Sequence, residues 1–284
     1  MYKNIYLKHR KEESLKRFHP WVFSGAIHHM DEGIAEGDTV RVITADGNCI
    51  AVGHYQLGTI TVRVLSFDDI AIDDSFWQQR MQSALAMRES IGVANNPDNN
   101  TYRLIHGEGD NLPGLIIDCY GTTAVMQAHS VGMHVCREQI CKALVEVMGD
   151  RIKNVYYKSE TKLPFKAELG QENGFIYGHT DNNTAVENSL SFHVDWLKGQ
   201  KTGFFVDQRE NRSLLEHYAK GKSVFNMFCY TGGFSVYAMR GGANIVHSVD
   251  SSAKAIELTN HNVAMNFPND NRHEAFCEDA FKYL

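Results

Sequence analysis

The stretch Ser223 to Asp250, SVFNMFCYTGGFSVYAMRGGANIVHSVD, constrains the fold more than any other. A short apolar segment, Ser223 to Met227, leads through a tight turn at Thr231-Gly232-Gly233 into a helical stretch, Phe234 to Met239. A second buried strand, Ile245 to Val249, ends at Asp250. This is half of a nucleotide-binding βαβ unit, and its terminal acid stands where such units hold a ribose diol. A dinucleotide pyrophosphate needs bare backbone N–H groups and so glycine at three set places, G-x-G-x-x-G. Phe228 and Tyr230 occupy that loop instead. S-adenosylmethionine carries no phosphate and can lie over a bulkier turn with only a Gly-Gly pair bare, so the turn favours a methyl donor. The alternative is a Gly-Gly helix start that binds nothing.

A chain of 284 residues suggests two domains, or three small ones, each with enough apolar residues for a core. No apolar run approaches the roughly 18 residues needed to cross a bilayer, and the N-terminus lacks the apolar region of a secretory signal. A cytoplasmic location is expected. The six cysteines (49, 119, 136, 141, 229 and 277) follow no C-x-x-C or disulfide-framework spacing, and the fourteen histidines form no H-E-x-x-H, so free thiols and no metal site are expected. A net charge of −6 argues against coating nucleic acid by bulk electrostatics. The first twenty residues nevertheless form a basic face: Lys3, Lys8, His9, Arg10, Lys11, Lys16, Arg17 and His19 against Glu12 and Glu13.

Along the chain, Asp38 to Phe67 alternates in period two, which directs Val40, Val42, Ile60, Val62 and Val64 inwards and Arg41, Thr61 and Arg63 outwards. With Asp46-Gly47 as a turn, a compact barrel is expected over residues 1–70, the size of a binding module. Asp73-Asp74-Ser75 opens a helix that Gly92 ends, with Trp77, Met81, Ala84, Leu85 and Ile91 as its buried stripe. A polar loop, Asn95 to Asn100, is expected to be mobile; strands follow at Tyr102 to His106, Leu115 to Tyr120 and Thr123 to Ala128, with Asn111 suited to the sharp turn of GEGDNLPG. A helix over Val135 to Met148 and strands near Val155 to Lys158 and Phe175 to Gly178 complete an α+β middle domain over 71–187. From residue 188 a strand and a turn around Gly199 and Gly203 lead to a helix over Asp207 to Ala219, with Asp207 as its cap. The segment from Gln200 to Asn211 is dense in donors and acceptors; a capped, solvated helix start is the plainer reading.

GQKTGFFVDQRENR, followed by NMFCYTGGFSVYA and SVDSSAKAIELTNHN, resembles the PUA-domain class I methyltransferases of ribosomal RNA, in particular the large-subunit cytosine-C5 group. The resemblance extends upstream through WVFSGAI, GDTVRV and GEGDNLPGLIIDCYG, and so spans essentially the whole chain. It implies a PUA β-barrel, an EEHEEH-type α+β middle domain, and an α/β Rossmann-like methyltransferase domain that begins at 188 and is incomplete at the C-terminus. Carried over by motif, Phe228, Thr231, Gly232 and Gly233 line the methionine end of S-adenosylmethionine and Asp250 holds the ribose hydroxyls. Asp279 in CEDAFKYL lies near the adenine amino group, with Ser251 and Ala280 beside the adenine. Lys201, Thr202, Phe204 and Arg209 lie over the cofactor's amino-acid end or at the RNA entrance.

The family's D-P-P motif and candidate cysteine nucleophile have no counterpart up to Leu284, so the catalytic residues are expected beyond that point. Addition at cytosine C5 needs a thiolate on C6, and Cys229 and Cys277 read as loop packing and strand core. The expectation is an S-adenosylmethionine-dependent RNA methyltransferase acting on ribosomal RNA at cytosine C5, with no membrane partner and a homodimer among the assemblies it allows. The alternatives are transfer to a guanine nitrogen, an RNA-binding PUA protein that transfers no methyl, and a nicotinamide oxidoreductase.

Overall fold

Alternation of β-branched residues with polar ones gives the first seventy residues a sheet rather than helices. The computed structural model describes residues 2–159, 169 and 172–283. Strands β1 (Lys3–Leu7), β2 (Trp21–Phe23), β3 (Ile27–Met30), β4 (Thr39–Ile43), β5 (Cys49–Tyr55) and β6 (Ile60–Ser66) form one sheet in the order β2-β6-β5-β4-β1-β3, with a short helix α1 (Glu13–Lys16) between β1 and β2. Pairing is antiparallel except between β1 and β4. Ile5, Leu7, Val40, Val42, Val62 and Val64 close the core, as the alternation requires. Thr61, expected to face outwards, is buried, and its hydroxyl is satisfied by donating to the carbonyl of Gly58 at 3.1 Å.

Helix α2 (Asp74–Ser90) starts where Asp73 Oδ1 accepts from the Phe76 N–H at 3.0 Å and ends before Gly92, whose φ is +73°. Trp77, Met81, Ala84 and Leu85 are buried, but Ile91 is 63% exposed: it follows the last helical turn and leaves the stripe. Strands β7 (Thr101–His106), β8 (Leu115–Tyr120), β9 (Thr123–Ala128), β10 (Asn154–Tyr157) and β11 (Gly174–Tyr177) form a sheet in the order β11-β10-β9-β8-β7. Asn111 takes the left-handed conformation between β7 and β8 (φ +56°). The helix expected to run unbroken from Val135 is two, α3 (Val131–Val135) and α4 (Arg137–Met148), separated at Cys136. Ser130 caps α3 through its hydroxyl.

Gly132, in α3, lies against the His54 ring, and a Cβ there would fall 2.2 Å from it. Burial pushes the His54 imidazole down to about 4, with Arg63 adding to the shift. The folded chain thus refuses a proton that the unfolded chain accepts below its ordinary value. Stability is complete above about pH 6.5 and falls as the pH drops towards 4, by up to about 3 kcal/mol from this residue. Urea midpoints between pH 7.5 and 4.5 measure the loss, and His54→Gln is expected to flatten the upper part of that slope.

Two compact units result: Met1–Gly92 with Arg103–His179, and Val93–Tyr102 with Thr180–Leu284. In the second, a hairpin of β12 (Thr184–Glu187) and β13 (Leu190–His193) precedes α5 (Arg209–Tyr218). The loop read as mobile is bound to this hairpin: the Asn100 N–H donates to the Val186 carbonyl at 2.9 Å, and Asn100 Oδ1 accepts from the Val186 N–H at 2.7 Å. Then come β14 (Ser223–Met227), α6 (Gly233–Arg240), β15 (Ile245–Asp250), α7 (Ala253–Asn266), β16 (His273–Cys277) and α8 (Ala280–Tyr283). The strands form a parallel sheet in the order β14-β15-β16.

Candidate functional site

Parallel pairing brings the C-terminal ends of β14, β15 and β16 to one edge, with Met227 opposite Val249 and Asp250 opposite Cys277. In open α/β sheets this edge is where ligands bind. Between β14 and α6 the backbone enters the left-handed region at every second residue: Phe228 (φ +56°), Tyr230 (φ +49°) and Gly232 (φ +73°). For the two aromatic residues that conformation costs about 1–2 kcal/mol each, so something must hold it.

Asp250 is one clamp, its Oδ2 accepting from the Tyr230 N–H at 3.1 Å. Helix α7 is another: Thr259 Oγ1 donates to the Tyr230 carbonyl at 3.1 Å and Asn262 Nδ2 to the Thr231 carbonyl at 2.8 Å. The third is the Tyr230 hydroxyl, which donates to the Gly203 carbonyl at 3.2 Å and accepts from the Gln200 N–H at 2.9 Å. Tyr230 thereby staples the segment around Gly203 to the turn. In the sequence Tyr230 stands out only by its bulk, and the one signal for Thr259 and Asn262 is their polar character at helical spacing.

Gly232 packs so closely on α7 that a Cβ would lie 2.7 Å from Thr259 Cγ2. With its positive φ, Gly232→Ala is expected to cost about 2 kcal/mol or more in unfolding free energy. It is also expected to weaken ligand binding at the edge; thermal melts with and without S-adenosylhomocysteine check both.

The structure gathers Phe228, Asp250, Ser251 and Asp279 at this edge. Phe228 is 64% exposed, its ring 6.2 Å from that of Phe281. Asp250 Oδ1 also accepts from the Ser252 N–H at 3.0 Å, and Ser252 caps α7. Asp279 is exposed and accepts from the backbone of Phe281 and Lys282 at the start of α8, whose first residue, Ala280, is buried. Thr231 and Gly233 are buried in the turn itself.

Of the upstream group, Lys201 is exposed, whereas Thr202 and Phe204 lie in the packing behind the loop. Phe204 sits 5.0 Å from the Phe192 ring and beneath the Arg212 guanidinium. Arg209 donates to the Thr101 carbonyl and stands 3.5 Å from Glu187, which Arg212 binds through two contacts of 2.8 Å. Asp207 does not cap α5: it lies in a 3₁₀ turn, Val206–Gln208, and accepts from the Gln208 side chain.

Cys229 is buried, 3.4 Å from Thr259 Oγ1, and burial pushes its thiol up to about 11. Cys277, expected in the core, is exposed at the last position of β16, a strand with no fully buried residue. Beneath the turn, Asn226, Ser235, Ser248 and His273 form a chain of hydrogen bonds of 2.8, 2.6 and 2.8 Å, and burial, followed by the neighbouring His247, drives His273 down to about 4.

A S-adenosylmethionine-dependent methyltransferase domain model matches residues 175–283, and a PUA-like domain model matches residues 5–67. The chain is similar to proteins named ribosomal RNA large subunit methyltransferase I. It is 38% identical over 283 residues to that of Alteromonas mediterranea, covering 99% of this chain and 70% of the relative. It is 39% identical over 289 residues to that of Shewanella denitrificans, covering 99% and 71%. In fold it resembles a solved structure assigned as a SAM-dependent methyltransferase, from Streptococcus mutans, with a TM-score of 0.82 at 24% identity over 100% of this chain and 72% of that one. With a PUA-like domain, a methyltransferase domain and 38% identity over 99% of its own length and 70% of the relative's, the chain belongs to the ribosomal RNA large subunit methyltransferase I family.

Proposed function

We propose that the chain holds S-adenosylmethionine at the C-terminal edge of β14–β16, as the donor site of an enzyme that methylates carbon 5 of a cytosine in large-subunit ribosomal RNA. The observation that carries the reading is Asp250, which ties the strained 228–232 turn to the start of α7 while remaining at the strand edge. Each carboxylate oxygen accepts one backbone N–H and retains a lone pair, which suits the two hydroxyls of a ribose. The exposed Asp279 offers an acceptor for an exocyclic amino group, and Phe228 an aromatic face beside it. These groups fit an adenosine moiety; when bound, the donor supplies an electrophilic methyl on a sulfonium.

RNA as substrate is supported by the relatives' name and by the PUA-like domain. Carbon 5 of cytosine is supported by motif resemblance. Cys229 takes no part as nucleophile, since its burial favours the thiol over the thiolate that attack at C6 requires. Lys201 borders the donor edge, and Thr202, Phe204 and Arg209 support it from behind. The same reading keeps divisions at about residues 70 and 187 and a cytoplasmic location, since ribosomal RNA is modified there.

Incubation of the full-length enzyme with tritiated donor and ribosomal RNA from cells lacking it tests the reading. Label on carbon 5 of one cytosine is the expected result. Label on a guanine nitrogen overturns the atom assignment, and label absent from RNA overturns the function.

A further inference from the structure

A cavity of about 280 Å³ lies in the first unit, between barrel and middle sheet, lined by Arg63, Glu108, His129 and the backbone of the Gly107 and Gly114 turns. Its two charges sense each other without meeting: Arg63 donates to Gln56 Oε1 at 2.9 Å, while Glu108 Oε1 accepts from the Trp21 indole N–H at 2.9 Å. Trp21 is paired with Arg63 across the antiparallel β2–β6 ladder, so both project from the same face of the barrel. Trp21 continues into an aromatic group, with its ring 6.3 Å from Phe23 and 5.7 Å from His19.

We propose that this cavity is a second nucleobase site, which holds a guanine of the RNA, unstacked from its neighbours, apart from the base that is methylated. The inference rests on RNA being the substrate. A carboxylate at the mouth repels phosphate, so the cavity reads a base edge rather than the backbone. Glu108 only accepts and Arg63 only donates. Guanine alone among the four bases presents N1–H and N2–H side by side for the carboxylate, with O6 as an acceptor for the guanidinium. Adenine offers an acceptor at N1, where Glu108 also accepts. The Trp21–Phe23–His19 group gives the flanking bases a stacking surface, the usual way a protein grips single-stranded RNA. Trp21 fills one acceptor site on Glu108 Oε1, which leaves the other site on Oε1 and the whole of Oε2 for the two N–H groups of the base.

The test titrates the full chain with UUGUU, UUAUU, UUCUU and the hypoxanthine pentamer UUIUU, which differ only at the centre. UUGUU is expected to bind about tenfold more tightly than UUAUU or UUCUU, with UUIUU between them for want of the N2 amino group. Glu108→Gln is expected to abolish the preference and to leave affinity for S-adenosylhomocysteine unchanged, which separates loss of base reading from misfolding. Equal affinity for the four probes, no binding of any of them, or a preference that survives in Glu108→Gln overturns the proposal. None of these outcomes touches methyl transfer to ribosomal RNA, whose failure would appear as unlabelled RNA.

Discussion

Replacing Glu187 with glutamine is expected to lower the free energy of unfolding by about 3–5 kcal/mol, the usual cost of removing one partner from a buried ion pair. Glu187 is fully buried and meets Arg212 through both oxygens at 2.8 Å. It also accepts from the Tyr237 hydroxyl at 2.9 Å and faces Arg209 at 3.5 Å. Glutamine keeps the shape but leaves the buried Arg212 guanidinium without its counter-charge, and the Phe204 and Tyr237 rings beside Arg212 cannot replace water. Urea unfolding should show a lower midpoint with an unchanged slope. The double substitution Glu187→Gln, Arg212→Met removes both charges and is expected to recover part of the loss. A single-substitution cost below about 1 kcal/mol would mean that the pair contributes no more than an exposed bridge. Because β12, α5 and α6 meet at Glu187, the variant should also loosen Phe204 and Arg209 behind the donor edge.

Features fixed by near neighbours were legible in the sequence. The order strand, turn, helix, strand, acid from Ser223 to Asp250, the Asp73 cap and the left-handed Asn111 each depend on residues within a few positions. Misreadings arose where an element ends. Periodicity extended the α2 stripe to Ile91 and the α5 start to Asp207, since a hydrophobic pattern does not mark the last turn or reveal a 3₁₀ entry. Cys277 reads as strand core, yet none of the β16 residues is fully buried and Cys277, at the strand's last position, is exposed.

Distant partners were hidden for another reason. Tyr230 reaches the Gly203 carbonyl, and Arg209 and Arg212, at helical spacing, reach back to Glu187. Nothing local to those residues names the partner. Bulk at position 230 was visible, but its role as a staple emerges only when the turn and the upstream segment are brought together.

Asp250→Asn is expected to weaken S-adenosylhomocysteine binding about a hundredfold, or about 3 kcal/mol, the loss of two charge-assisted hydrogen bonds at the low end of their range. The carboxylate has to serve the Tyr230 and Ser252 N–H groups and, in the proposed site, two ribose hydroxyls. An amide offers one acceptor oxygen and turns an NH₂ towards one of these donors, so it cannot satisfy all four. Loss of the clamp on the left-handed Tyr230 should lower stability by about 1–2 kcal/mol as well. The ligand effect separates from this structural one by comparison. Ser251→Ala, at an exposed residue beside Asp250, is expected to leave affinity within about threefold, while Asp279→Ala costs about tenfold through a single hydrogen bond. Titration calorimetry at neutral pH measures all three. If Asp250→Asn binds S-adenosylhomocysteine within threefold of the unaltered protein, Asp250 only braces the turn, and the ribose must be held by another group at the strand edge.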